Sequence, residues 1–455
     1  MRTETGPRGR SALWTASEVA EAVGGRLVGP DTEIRGVVAD SRSVSGGELF
    51  VPLQAARDGH EFIADAAARG AVAYLTSRGP TLGVDAPAIV VDDTAAALRA
   101  LAEERRRRLA DAVVVGITGS VGKTTTKDLT RAVLAGRLAT HASPASYNNE
   151  IGVPLTLANT PSEAGAVVVE MGARGIGHIR ELCRLVRPTV GVVTMVAHAH
   201  TEHFGSLEAV ARAKGELVEE LSEGGWAILN ADVEHVAAMV SRTRANVVTF
   251  GSSGLVRAER PELDDELRPR FRLVTPDWSE EVRLQLRGEH HVTNALAAAA
   301  VGWACGIGPE EVVAGLERTG PPRSRMQLRR SVRGGVVIDD CYNANPTSTI
   351  AAIDALARLR VGRKVAVLGP MAELGEISEE EHRRVALTAR ERGVRVVAVG
   401  APDYGELAEH VPDVDAAATL VGIPSEGEAV LVKGSRVAGL ERLVDLLVGG
   451  GPPGS

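Results

Sequence analysis

The sequence predicts a three-domain α/β architecture built on largely parallel sheets, and three observations predict it. The chain has 455 residues, and a domain takes roughly 150. Short β-branched apolar runs alternate with helix-period segments along most of its length, the pattern of strands covered on both faces by crossover helices. The pattern also restarts twice, at "DAVVVGITG" and after the paired prolines of "RTGPPRSRM". These restarts divide the chain into residues 12–109, 110–322 and 323–448.

In the first segment the helical stretches "TASEVAEAVGG" and "EFIADAAARGA" are interleaved with the short strands "IRGVVAD" and "AIVVDD", and the helix "TAAALRALAEERRRRL" closes it. The run Arg105 to Arg108, preceded by Glu103 and Glu104 and followed by Asp111, reads as a solvated helix end. The second segment opens on a strand running into glycine and continues with "AGAVVVEMG", "VGVVTMV" and "WAILN". The third carries "GGVVIDDCY", "RKVAVLGP", "VRVVAVG" and "AVLVKGS", again separated by helices. The tail "VGGGPPGS" is too rich in glycine and proline to pack and is expected to be disordered.

Composition narrows the function. A hydrophobic fraction of 44% supplies real cores, and a net charge of -8 argues against a nucleic-acid binder. Cys183, Cys305 and Cys341 are far apart with no CxxC pair, which points to a reducing compartment rather than a disulfide framework. The N-terminus lacks a signal-peptide apolar stretch and no 18-residue apolar run occurs, so a cytoplasmic protein without membrane insertion is expected. Of the 51 basic side chains 46 are arginine and five are lysine: Lys123, Lys127, Lys214, Lys364 and Lys433. Lysine alone of the two can become a neutral, reactive amine, so these five positions deserve individual reading.

The strongest local signal is "VVVGITGSVGKTTTKDL". A strand, a glycine loop and a helix opening at Lys123-Thr124 form the arrangement that cradles phosphates. Backbone N–H groups and the helix N-terminus meet phosphate oxygens, Lys123 reaches the terminal phosphates, and Thr124 can hold Mg²⁺. The spacing is TGxxGKT from Thr118 to Thr124, since Ile117 stands where the longer GxxxxGK[ST] form needs glycine. Downstream, Glu170 ends an apolar strand, at the sheet edge where ligands gather. A carboxylate there suits a metal bound to phosphates. His198, His200, Glu202 and His203 follow another strand end. Their spacing also permits zinc, although a phosphate loop with Glu170 calls for an oxygen-preferring ion to which one imidazole adds.

Taken in order, "TGSVGKTTT", "YNNEIGVPLTL", "VVVEMGA", "AHTEHFGS", "ARAKGEL", "GEHHVTNALAA", "DDCYNANPTS" and "VKGSR" resemble the Mur ligase family of peptidoglycan synthesis over residues 37 to 440. "DSRSVSGGELFVPL" and "DGHEFI" resemble the family's nucleotide-sugar-binding domain. The resemblance implies a small N-terminal α/β domain binding a UDP-MurNAc-peptide, a central ATPase domain and a C-terminal Rossmann-like domain. "YNANP", with no DNPR-type run, resembles the members that join D-Ala-D-Ala to UDP-MurNAc-tripeptide through an acyl phosphate. A sister ligase adding a single amino acid shares every nucleotide motif. A phosphate-loop switch that hydrolyses nucleotide is the alternative from another class, and it has no use for a nucleotide-sugar domain.

Residue by residue, the resemblance implies that Thr118, Gly119, Ser120, Val121, Gly122, Lys123, Thr124 and Thr125 bind the ATP phosphates. Thr124 and Glu170 would hold one magnesium, and His200 and Lys214 would belong to a second metal site, with Lys214 carbamylated by CO₂. Arginine cannot form a carbamate. A helix-surface lysine would find an acid three or four positions away, but Lys214 has Val210, Ala211, Leu217 and Val218 there. His290 and Asn294 are expected near the adenine, with a helix N-cap as the structural alternative for Asn294. Arg325, Asp339, Tyr342 and Asn343 would close on ATP from the last domain. Ser41 and Arg42 are expected at the uridine nucleotide, where a guanidinium suits a diphosphate. Asn148 and Asn149 are further substrate-binding candidates, as are Lys433 and Arg436 at a carboxylate or phosphate. "GEHH" places His291 where the family commonly has asparagine, and Pro370 stands where many relatives carry Asp. A monomer is expected.

Overall fold

The computed structural model describes residues 12–54, 56–144, 146–197 and 204–449. The first eleven residues, the tail from 450 onward, and His198, His200, Glu202 and His203 lie outside the described residues. The expectations for the disordered tail, for zinc and for the His200 metal ligand fall there.

Contacts divide the chain into two compact units. The first is Met1–Gly116 with Leu138–Met171 and Arg180–Pro188. Thr15 caps helix α1 (Ala16–Ala22) through a reciprocal box with Glu18, and α1 buries Ala16, Val19 and Ala20. Five strands follow: β1 (Arg26–Val28), β2 (Gly36–Val38), β3 (Glu48–Phe50), β4 (Ala73–Thr76) and β5 (Ala88–Val90), in the order β1-β5-β4-β3-β2. β2 to β5 run parallel, and β1 joins antiparallel at the edge. Asp93 caps helix α2 (Thr94–Arg108) by accepting from Ala95 N and Ala96 N.

The end of α2 corrects one expectation. Arg107 and Arg108 pair with Glu104 as a solvated end should, but Arg105 and Arg106 are buried. Arg105 lies over the Trp14 ring, 4.0 Å from its centroid, and donates to Leu13 O. Burial pulls it down to about 10. Arg106 donates to Val186 O, Leu109 O and Arg187 O at 2.7, 2.8 and 3.0 Å. Carbonyls satisfy the fork of donors at Arg106, whereas Arg105 keeps one carbonyl and the Trp14 face and leaves its Nε without a partner; charge runs in a sequence do not distinguish such cases.

Strand β6 (Val113–Thr118) leads from the first unit into helix α3 (Lys123–Leu134) of the second. Within the first unit β6 lies beside β8 (Ala166–Glu170), and β8 pairs in parallel with β7 (Thr140–Ala142). Helix α4 (Gly152–Ala158) packs against α2.

The second unit comprises Ile117–Arg137, Gly172–Ile179 and Thr189–Ser455. Its parallel strands β9 (Val190–Val193), β10 (Trp226–Asn230) and β11 (Asn246–Phe250) alternate with helix α5 (Leu207–Glu219), which Ser206 caps. An antiparallel sheet of β12 (Arg257–Leu263), β13 (Pro269–Val274) and β14 (Ser279–Arg283) follows. The apolar-run reading misses it, because its outward positions are arginine and glutamate. Helices α6 (His290–Ala304) and α7 (Pro309–Arg318) both pack on α3.

The last sheet contains β15 (Gln327–Arg330), β16 (Val336–Asp339), β17 (Arg363–Leu368), β18 (Arg395–Val399), β19 (Glu409–Val411) and β20 (Glu428–Lys433), in the order β15-β16-β20-β17-β18-β19. All but the edge strand β15 are parallel. Helices α8 (Pro346–Arg358) and α9 (Ser378–Glu391) pack on one face through Ile353, Leu356 and Val385. Helices α10 (Val414–Val421) and α11 (Glu441–Val448) cover the other through Val421, Leu443 and Val444. β20 returns between β16 and β17, so the strand order reverses there. Ligands bind at the carboxyl ends of strands flanking such a switch point.

Candidate active site

The phosphate loop is braced by hydrogen bonds from its own chain. Ser120 N donates to Met195 O at 2.8 Å, and Ser120 Oγ bonds both Ala197 O and Ala197 N. Thr194 Oγ1 donates to Val121 O at 2.6 Å. Gly119 is required at its position, since a Cβ there would lie 1.9 Å from Thr194 Oγ1. Gly122 is left-handed with φ 85°, and its Cβ would lie 2.5 Å from Asn294 Oδ1. Two glycines therefore let the backbone fold back on its support, leaving the first amides of α3 free of helix partners to donate to anionic oxygens. Lys123 Nζ reaches over the loop to Gly119 O at 2.7 Å. Thr118 and Thr125 are buried.

Asn294 lies in the second turn of α6 and is buried. The residue before the helix is Glu289, so the capping alternative is wrong. It supports the loop instead: its Oδ1 accepts from Thr126 Oγ1 at 3.4 Å, and its Nδ2 lies 3.2 Å from His291 Nδ1. The His290 ring lies 4.1 Å from that of His291, tilted by 45°. Burial holds both imidazoles neutral; His290 is lowered to about 4, with Asp340 opposing and Lys433 reinforcing the shift.

Arg325, Tyr342, Asp339 and Asn343 assemble at the carboxyl ends of β16 and β20. Arg325 donates to Thr124 Oγ1 at 3.2 Å and lies 4.3 Å from the Tyr342 ring centroid. Asp339 accepts from Ser324 Oγ and Cys341 Sγ, and that neighbouring carboxylate, after burial, pushes the Cys341 thiol up. Lys433 is not a free cation: it is buried, donating to Asp340 Oδ2 at 2.6 Å and Asn343 O at 2.9 Å. Sequence reading missed Asp340, although it adjoins Asp339 in "DDCYN" and a buried lysine calls for an acid. Arg436 is exposed. Pro370 O accepts from Ser435 N, which ties the "LGP" loop to "KGS".

Lys214 is buried in α5, and Val210, Leu217 and Val218 beside it are buried with it. Desolvation, then the nearby Lys123 charge, lowers its amine to about 7. A lysine so placed is neutral in about half of the molecules near pH 7, and the neutral amine is the form that can react with CO₂. None of the five lysines is exposed: Lys127, Lys214 and Lys433 are buried, and Lys123 and Lys364 half-buried.

In the first unit, Glu170 ends β8 as a buried carboxylate that accepts from Asn148 Nδ2 at 2.8 Å. Asn149 accepts from Gly152 N at the start of α4. Ser41 is buried, while Arg42 is exposed and forms a forked pair with Asp40 at 2.9 and 2.7 Å. Among the described residues no three His, Cys, Asp or Glu side chains gather into a metal-holding cluster.

Three family models match the chain: the Mur ligase family catalytic domain at residues 33–106, the Mur ligase middle domain at 117–302, and the Mur ligase glutamate ligase domain at 324–436. The UDP-N-acetylmuramoyl-tripeptide--D-alanyl-D-alanine ligase of Mycobacterium leprae is 39% identical, covering 96% of this chain and 98% of the relative. The chain belongs to the Mur ligase family.

Solved structures agree. MurF from Acinetobacter baumannii superposes with a TM-score of 0.84 at 32% identity over 96% of this chain and 99% of that one. The MurF ligase of Thermotoga maritima in complex with ADP gives 0.78 at 28% identity over 91% and 97%. In this Mur ligase the phosphate loop and Lys214 fall in the middle-domain segment. Arg325, Asp339, Tyr342, Asn343 and Lys433 fall in the glutamate ligase segment.

Proposed function

We propose that this chain joins D-Ala-D-Ala to UDP-N-acetylmuramoyl-tripeptide at the expense of ATP, yielding ADP, phosphate and UDP-N-acetylmuramoyl-pentapeptide in the cytoplasm. Its near-full-length similarity to relatives bearing that name supports the substrates. The observation that carries the chemistry is the braced phosphate loop with Lys123 and the buried Lys214 beside it.

A carboxylate is a poor acyl donor until one oxygen becomes a leaving group. The tripeptide carboxylate attacks the γ-phosphorus of ATP, ADP leaves, and the dipeptide amine then attacks the acyl carbon. The amine loses its proton and phosphate departs. The amides of α3 and Lys123 hold the phosphate oxygens and neutralise charge as it builds, the main source of rate in phosphoryl transfer. Arg325 orients Thr124 through its hydrogen bond to the hydroxyl, and His290 and Asn294 are assigned to the adenine. Ser41 and Arg42, with Asn148 and Asn149, are assigned to the nucleotide-sugar substrate, and Arg436 to an anionic group.

Thr124, Glu170, His200 and a carbamylated Lys214 are the proposed magnesium ligands, and the metal supplies charge neutralisation on the transferred phosphoryl group. The functional division is 12–109, 110–322 and 323–448, in a monomer. Among the described residues no helix is long and apolar enough to cross a membrane.

The test is phosphate release from Mg-ATP with UDP-MurNAc-tripeptide and D-Ala-D-Ala supplied separately and together. Release requiring both supports the ligase. Release with neither favours a nucleotide switch, and release with a single amino acid in place of the dipeptide moves the chain to a sister activity.

A further inference from the structure

Helix α5 carries Lys214, and the residue after it is a glycine in mid-helix, where alanine would be the more stable choice. The space a side chain would take is filled. A Cβ on Gly215 would lie 2.1 Å from Arg242 Nη1 and 2.2 Å from Arg242 Cζ. The guanidinium enters that notch and donates to two backbone carbonyls of the same helix, Nη1 to Ala211 O at 3.1 Å and Nη2 to Arg212 O at 2.9 Å. Its Nε and Nη2 also donate to Glu219 Oε1 at 3.0 and 2.8 Å, one turn further along.

We infer that Arg242 is a positioning residue for Lys214, acting through a guanidinium wedged into α5 at Gly215. Ala211, Gly215 and Glu219 form one helix face, and Arg242 grips all three levels of it. Lys214 and its neighbours Val210, Leu217 and Val218 are buried on another face. Between them Glu216 Oε1 accepts from Gly177 N at 2.5 Å. A rotation of α5 that turned Lys214 away from Lys123 would have to break the wedge. A simple staple between α5 and the short helix Ala238–Arg242 needs only the Glu219 pair and gives no reason for glycine at 215.

The inference rests on the assignment of Lys214 to the reaction, so Lys214→Arg is the control. Steady-state kinetics and thermal unfolding of the full chain supply the readouts. Arg242→Ala is expected to lower kcat at least tenfold with KM for ATP within twofold, and millimolar guanidinium to restore part of kcat. Gly215→Ala is expected to lower kcat as well. The double variant is expected to be no slower than Arg242→Ala and to melt higher, because the vacated notch accepts a methyl group. Near-normal turnover in Lys214→Arg overturns the assignment of Lys214 and the inference with it. An inactive Lys214→Arg beside an Arg242→Ala whose kcat stays within twofold overturns the wedge alone. Should Arg242→Ala fail to fold, Arg242→Lys decides: it keeps a charge for Glu219 but not the two-carbonyl grip. Folded protein with reduced kcat supports the inference, and full kcat overturns it.

Discussion

Arg325 Nη2 donates to Thr124 Oγ1 at 3.2 Å, so a side chain from just after the "GPP" break holds the hydroxyl at the start of the phosphate-loop helix. A hydrogen bond involving a charged group contributes about 1.5–3 kcal/mol. Arg325→Ala should therefore weaken ADP binding about tenfold or more, measured by titration calorimetry, with Arg325→Lys intermediate because it loses the planar contact with Tyr342. An unchanged Kd would remove Arg325 from the nucleotide site.

Lys214→Arg keeps the positive charge but cannot become a neutral amine or form a carbamate. Turnover should fall by about 10² or more, the scale of losing one electrostatic stabiliser of a transition state. Far-UV circular dichroism should be unaltered. An arginine variant with near-normal activity would remove the carbamate from the mechanism.

His141, in β7, is held neutral by burial, which lowers it from 6.5 to about 4. Between those values the unfolded chain takes up a proton that the folded chain refuses. Its contribution to stability is thus complete above about pH 6.5 and declines as pH falls toward 4, by up to about 1.4 kcal/mol per pH unit. His141→Gln should flatten that part of the acid limb in urea unfolding series from pH 7 to 4. An identical slope in both proteins would exclude His141 as its source.

Lys433 and Asp340 form a buried pair at 2.6 Å. Removing one partner strands the other charge, so Lys433→Ala should destabilise the fold by about 3–5 kcal/mol. Lys433→Met combined with Asp340→Leu should recover much of the loss. If the double variant is no more stable than Lys433→Ala, the stranded charge is not the cause.

The parallel strands were legible because burial on both faces leaves continuous apolar runs, as in "VVVGIT" and "AVLVK". The charged sheet β12–β14 was not, since arginine and glutamate at alternate positions also describe a loop. The phosphate loop could be read from Gly119, Gly122 and Lys123, residue types that tight turns and phosphates demand at that spacing. Lys433 illustrates the opposite case. Its residue type was noticed, but its buried partner Asp340 lies 93 positions away, and nothing local announces such a pairing. The same distance argument applies to Arg106, whose acceptors Val186 and Arg187 come from another part of the chain.

The concealment of all five lysines has a practical side. The outer cations are arginines, which keep their protons beyond pH 12. Electrophoretic mobility should therefore change little between pH 9 and 11, where lysine-rich proteins shed charge. Amine-directed tethering or crosslinking reagents will find no exposed lysine as a target. At high reagent excess the half-buried Lys123 is among the first side chains exposed to attack, so coupling chemistry aimed at immobilising this protein will also tend to silence it.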